Sequence, residues 1–321
     1  MAVFHTELSR QGPGLLLRDI RAGAEDVGRV QAAILAAQPD ILLLLGFDHD
    51  LNHVALAAFQ QALAVAGHAM PHRFATLPNR GMATGLDMDG DGRTGTPDDA
   101  QGFGRFAGAS GMAVLSRWPI DAGGMQDHSA FLWRDLPDAL LPRHEGRLFP
   151  SDAVFDIQRL ASTGFWMLPV RLPGGHSLTL MTWHAGPPAF GGPHQRNRNR
   201  NHDETMFWAH LLDGRGPAPP PATPFVLMGN ANLDPDGAQG LPRAIRTLLA
   251  HPALQDPAPT AAVPRDPLAP PGATAHFPRG PGWLRGSYIL PDAALRVTAS
   301  GLYWPPPPGR HALVWVDIAL P

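Results

Sequence analysis

Apolar positions along the chain follow two rhythms. Residues 41–45 form an unbroken run, Ile-Leu-Leu-Leu-Leu, as expected of a strand covered on both faces. Segments 112–115, 177–182, 225–228, 288–290, 295–298 and 313–318 read as further strands. Val27, Val30 and Ile34 recur at helical spacing over residues 27–37, and Gln38-Pro39-Asp40 closes that helix. Residues 51–66, 202–212 and 241–249 also read as helices, the second with Met206, Phe207 and Leu211 inward. Helices separate some strands, while hairpin-like links join others. That mixed order predicts an α/β sandwich with two sheets inside and helices outside. Segments 214–224, 257–271 and 305–308 are too rich in proline for regular elements and read as stiff connections. The strand patterns flanking them belong to one sheet system, so a single domain over residues 1–321 is expected.

Composition narrows the classes of function. A net charge of −3 gives no bulk attraction for polyanions. The absence of cysteine excludes disulfides, thiolate metal sites and a cysteine nucleophile. No apolar run reaches the roughly 18 residues of a membrane span. The chain opens almost directly on a strand, from which we expect that a native leader has been removed and that the protein is secreted or periplasmic. There is no P-loop, no dinucleotide-binding glycine pattern after a strand and no G-x-S-x-G elbow, so neither a nucleotide cofactor nor a serine hydrolase is expected.

An acidic loop stands out between the second helix and the strand at 112–115. With Asp87 as position one, carboxylates fall at positions one (Asp87), three (Asp89), five (Asp91) and twelve (Asp98), and Gly92 falls at six. This is the spacing of an EF-hand calcium loop, with Asp98 for the usual Glu and the carbonyl of Arg93 as a further ligand. A solvated acidic turn is the competing reading, but carboxylates this close repel one another without a cation among them. Glycines flank the loop in place of helices, so the expected role of Ca²⁺ is structural, within an insertion around residues 81–110.

Six short segments then resemble, in order, the motifs of the endonuclease/exonuclease/phosphatase superfamily. Pro39-Asp40-Ile41-Leu42-Leu43-Leu44 resembles the strand entering the family's metal-binding Glu. Gly111-Met112-Ala113-Val114-Leu115-Ser116-Arg117-Trp118-Pro119-Ile120 is similar to its G-x-A-x-L-S-R-x-P-I strand. Thr182-Trp183-His184 is similar to T-x-H, Gly229-Asn230-Ala231-Asn232 to G-D-x-N, Ser287-Tyr288-Ile289-Leu290 to D-Y-I-L, and Gly309-Arg310-His311 to S-D-H. The resemblance implies a four-layered α/β sandwich of two mixed, mainly antiparallel sheets. It also implies metal-dependent hydrolysis of a phosphate ester, in which a divalent ion polarises the phosphoryl oxygen while histidines stabilise developing charge. His184 and His311 would be those histidines, Asn232 the positioning amide, and Asn230 would stand where an Asp orients water.

The same resemblance exposes departures. Gly46 stands at the Glu position, Asn230 and Ser287 at Asp positions, Arg310 at the Asp before the last histidine, and His5 at an Asn. Three readings stay open. The site could be rebuilt around His5, Glu7 and Asp48 with the other histidines, a set suiting Zn²⁺ or Mn²⁺ better than Mg²⁺. It could bind a phosphate-bearing ligand without hydrolysis through Arg310, His184 and His311, or it could be an inert scaffold that binds a protein partner. Arg196 and Arg198, in a basic stretch leading into a helix, are further candidates for phosphate contact, from a small phosphate ester or nucleic acid. With 2 tyrosines and no aromatic-interleaved basic stripe, base readout is not expected.

Overall fold

A computed structural model describes residues 1–222, 224–307 and 309–319; Thr223 and Pro308, each in an expected Pro-rich connection, lie outside the described residues. The chain runs β1 (Ala2–Leu8), α1 (Leu15–Ala22), α2 (Glu25–Ala37), β2 (Ile41–Phe47), α3 (Val54–Val65), β3 (His72–Phe74) and β4 (Gly111–Ser116). It continues through β5 (Gln126–Asp127), β6 (Arg143–His144), β7 (Arg147–Leu148), α4 (Asp152–Ile157), β8 (Phe165–Arg171), β9 (Ser177–His184), α5 (Arg196–Leu212), β10 (Phe225–Asn230) and α6 (Arg243–Leu249). The last part holds β11 (Ala275–Phe277), β12 (Gly282–Leu284), β13 (Ser287–Pro291), β14 (Val297–Tyr303) and β15 (Leu313–Ile318).

Two large sheets result, ordered β14-β15-β1-β2-β4-β3 and β13-β10-β9-β8-β5. Among the described residues, β1 with β2 and β9 with β10 are the strand pairs of these sheets that run parallel, so the sheets are mixed and mainly antiparallel, as expected. The apolar run in β2 shows why four layers form. Leu42 and Leu44 face α1 to α3 and pack with Leu16, Ile34 and Phe59. Leu43 and Leu45 face the other way and pack with Leu168, Leu180, Val226 and Ile289 of the second sheet. Successive side chains point to opposite faces of a strand, so an all-apolar strand needs cover on both sides. The second sheet's outer face, including Trp183, Leu227 and Tyr288, is covered by Phe207 and Trp208 of α5 and Ile245 of α6. Among the described residues no helix is long and apolar enough to cross a membrane.

The pattern reading missed α1 and β8, and it placed the start of α5 too late: that helix begins at Arg196, six residues before the apolar spacing would begin it. Its first nine residues bury Arg196, Arg200, Asn201, Asp203 and Glu204, and all of these but Arg196 bond neighbouring backbone. Glu204 accepts from Gly186 N at 2.8 Å, and Asn201 Nδ2 donates to Gly186 O and Ala231 O, both at 2.7 Å. The helix thereby ties the loop after β9 to the loop after β10, at whose ends the candidate site sits. The 51–66 helix starts at Val54, because Asn52 and His53 both take left-handed backbone (φ 61° and 56°).

Candidate functional site

Strand ends from both sheets converge on one rim. His184 ends β9 and is paired in register with Asn230 at the end of β10, which is paired in turn with Ser287. His311 precedes β15, the antiparallel neighbour of β1, and His5 lies on β1 opposite Leu45. The three imidazoles meet: His5 stacks on His311 with centroids 4.2 Å apart, and His184 meets His5 edge-on at 5.0 Å. His184 and His311 are 2% and 5% exposed. Burial strips water from the charged form and holds His5 and His184 well below the ordinary imidazole value, with Arg80 and neighbouring imidazoles adding repulsion. Burial, then the Arg310 charge, takes His311 down to about 3. All three rings are therefore neutral near pH 7, and no protein group bonds any of their Nδ1 atoms among the described residues.

The position expected to hold a carboxylate, Gly46, is directly beneath His5. A Cβ built on Gly46 would lie 2.8 Å from His5 Cε1, 3.2 Å from Nε2 and 3.3 Å from Nδ1. The imidazole thus fills the space a side chain at 46 would need. Gly46 also has φ 67°, in the left-handed region that disfavours any other residue. Opposite it, β1 bulges: His5 pairs with Leu45 and Leu8 with Phe47, leaving Thr6 and Glu7 against Gly46 alone.

That bulge corrects the expected rebuilt metal set. Glu7, at φ 58°, turns to Arg310 and accepts from its backbone N at 2.7 Å and from Nε. Asp48 does not reach the cavity either: its oxygens accept from Ser9 Oγ (2.9 Å), Arg10 N (2.7 Å) and Ser110 N (2.8 Å). The structure therefore does not bring His5, Glu7 and Asp48 together. Asn230 Oδ1 accepts from Asn232 N at 2.6 Å, and Asn232 Nδ2 donates to Ala185 O at 2.8 Å, so the two amides brace each other and the loop. The carboxylate on the cavity wall, Asp234, accepts from Asp236 N (2.8 Å) and Arg285 N (2.7 Å).

What the pattern reading did not single out is Arg80. The residue is 9% exposed and lines the cavity with His5, His184 and His311. Nε donates to Thr163 Oγ1 at 2.8 Å, and the side chain makes no salt bridge among the described residues. Asn79 holds this segment, its Nδ2 donating to Ser129 O (2.7 Å) and Ala161 O (2.8 Å). A lone arginine in a glycine-rich loop carries no periodic or motif signal that would have marked it.

Arg196 and Arg198 sit elsewhere than expected. Arg196 is buried in a neighbouring cavity of about 650 Å³ with Asp89 and Asp98, and its guanidinium donates to Gln158 Oε1 at 2.7 Å. Arg198 Nε donates to Gly240 O at 3.2 Å and lines neither cavity. The two cavities share Arg80, Pro187 and Phe190.

In the acidic loop, oxygens of Asp87, Asp89 and Asp99 lie within 4.8 Å of one another, the only such set of three candidate ligands among the described residues. Position twelve, Asp98, is not in this set and faces the Arg196 cavity. The reason is a single 3₁₀ turn at Pro97–Asp99, capped by Thr96, that brings Asp99 inward, where it accepts from Met88 N at 2.8 Å. Asp91 Oδ1 accepts from Arg93 N at 2.8 Å, which draws it into the loop's own turn. Burial, with the charges of Asp91 and Asp98 adding, raises the Asp89 carboxyl.

The family model described as "Endonuclease/Exonuclease/phosphatase family" matches residues 17–311. Among solved structures the chain is similar to an endonuclease/exonuclease/phosphatase from Beutenbergia cavernae DSM 12333, at 18% identity and TM-score 0.59, covering 100% of this chain and 71% of that one. It is also similar to the human Nocturnin catalytic domain with bound sulfate anion, at 13% identity and TM-score 0.53, over 99% and 93%. Sphingomyelinase C from Streptomyces griseocarneus is similar at 16% identity and TM-score 0.52, over 99% and 98%. A comparison with curated proteins gives no match.

Proposed function

The chain belongs to the endonuclease/exonuclease/phosphatase family, and from that membership we propose a phosphoesterase-like protein whose cavity binds a phosphate ester through Arg80 and its three imidazoles. Arg80 carries this reading. A buried guanidinium that no carboxylate bonds directly is costly to maintain; the nearby Glu204 charge offsets only part of that cost, and an anion in the cavity offsets more. Its fork of N–H donors matches phosphoryl oxygens, and each neutral imidazole adds one N–H donor. A sulfate-bound relative and one named for sphingomyelin cleavage support tetrahedral anions and phosphate esters as the ligand class.

Members of this family depend on divalent metals, so the fit of such an ion bears directly on activity. The residues here do not fit one. His5 occupies the space above Gly46, Asn230 is bonded to Asn232, Glu7 pairs with Arg310, and no three candidate ligand atoms of the cavity converge among the described residues. We therefore read the site as remodelled for metal-independent recognition, with hydrolysis by the family's metal route lost. The retained His184, Asn232 and His311 favour a second reading in which some turnover survives.

Titration calorimetry with inorganic phosphate and a phosphomonoester tests the first reading. Losing one charge-assisted contact costs about 2 kcal/mol, so Arg80→Gln is expected to weaken binding roughly thirtyfold. Equal binding by both proteins would reject the site. Assays of phosphomonoesters and phosphodiesters with Mg²⁺, Mn²⁺, Zn²⁺ and Ca²⁺ test the second reading; turnover abolished by His184→Ala and by His311→Ala would establish it. For the acidic loop, we propose a structural Ca²⁺ held by Asp87, Asp89 and Asp99.

A further inference from the structure

The cavity over the imidazoles is much larger than a phosphate group requires. It encloses about 680 Å³, within the range of small-molecule sites. Its chemistry is divided. The floor carries Arg80 and the imidazoles, while two mainly apolar walls rise from it, with Asp234, Gln239 and Arg279 as further polar lining. Pro187, Pro188 and Phe190 of the loop after β9 form one wall, and Phe277, Pro281 and Leu284 of the β11–β12 hairpin form the other.

The hairpin wall is fixed to the segment that carries His311. Ala275 bridges to His311, His276 N donates to Arg310 O at 2.9 Å, and Ala312 N donates to Thr274 O at 2.9 Å. Phe277 meets the His311 ring edge-on at 5.5 Å. Leu284 reaches down to the amide pair. A Cβ on Gly286 would lie 3.0 Å from Leu284 Cδ1 and 3.3 Å from Asn230 Oδ1, so a residue without a side chain lets the leucine close over the asparagines. On the opposite wall, Phe190 is 90% exposed and has φ 64°. A bulky aromatic residue held in left-handed backbone and in water costs free energy in this state, and such strain gathers at ligand clamps.

We propose that the ligand is a phosphate ester of a small apolar organic group: the phosphate lies on Arg80 and the imidazoles, and the organic group lies between the hairpin and Phe190. This specificity rests on the phosphate reading above. The test is a calorimetric series of inorganic, methyl, butyl, hexyl and phenyl phosphate on the wild-type chain and on Phe190→Ser, each variant checked by circular dichroism. Each methylene buried is worth about 0.8 kcal/mol, or roughly fourfold in affinity. Butyl phosphate should therefore bind roughly sixtyfold tighter than methyl phosphate, and phenyl phosphate should also exceed methyl. Phe190→Ser should lower the butyl-to-methyl ratio at least fivefold. A flat series with phosphate binding intact overturns this inference alone. No binding by any phosphate overturns the phosphate reading beneath it. An unchanged butyl-to-methyl ratio in Phe190→Ser removes Phe190 from the subsite.

Discussion

Gly46→Ala probes whether His5 has taken the space of a side chain at position 46, where the sequence resemblance implies a carboxylate. The added Cβ meets His5 Cε1 at 2.8 Å, against an ordinary carbon contact of about 3.5–4.0 Å. Two terms follow. Left-handed backbone costs a residue with a Cβ about 1–2 kcal/mol. Overpacking against a ring hemmed in by His184 and His311 adds about 1–3 kcal/mol. The single substitution should therefore lose about 2–5 kcal/mol, the sum of those two ranges. With His5→Ala the ring is gone, and only the backbone term remains for Gly46→Ala. Urea denaturation of the four proteins of this cycle should show a coupling of about 1–3 kcal/mol at constant m-value. Additive losses would mean that the His5 ring does not sit over residue 46.

Two other expectations follow from the same groups. His5, His184 and His311 titrate below the ordinary imidazole value in the folded chain, so the unfolded chain binds more protons as pH falls. Their contribution is present above about pH 6.5 and is lost progressively toward His311's value of about 3. Each contributes at most about 1.4 kcal/mol per pH unit below pH 6, and a triple His→Gln variant should flatten that part of the stability–pH curve. If the acidic loop holds Ca²⁺, saturating calcium should raise the melting temperature of stripped protein, by the equivalent of about 2.7 kcal/mol at a hundredfold excess over Kd; Asp87→Asn with Asp89→Asn should abolish the shift, and a wild-type protein indifferent to calcium would leave the loop a solvated turn.

Much of the fold was legible because its strands are apolar on both faces, as in β2, and because six motif-like segments fall at strand ends. The start of α5 was not, since Arg196, Arg200 and Glu204 are buried for what they bond rather than for apolarity. At the site, His184, Asn232 and His311 were legible as strand-end residues, and the structure gathers them with His5 and Arg310 around one cavity. Residue spacing failed where the backbone departs from regular geometry. The bulge at Thr6 and Glu7 sends Glu7 to Arg310, and the turn at Pro97–Asp99 puts Asp99, not Asp98, beside Asp87. Asp48 sits next to the site in sequence yet spends its oxygens on Ser9, Arg10 and Ser110. Arg80 belongs to no motif and enters the site only through the folded loop that Asn79 anchors.

The central claim is that this cavity recognises a phosphate ester without a metal. Calorimetric titration of a phosphomonoester into protein dialysed against EDTA, repeated after adding Mn²⁺ or Mg²⁺, tests it directly. The account predicts one site per chain with the same affinity in all three conditions. Binding that appears only when the metal is restored would contradict it.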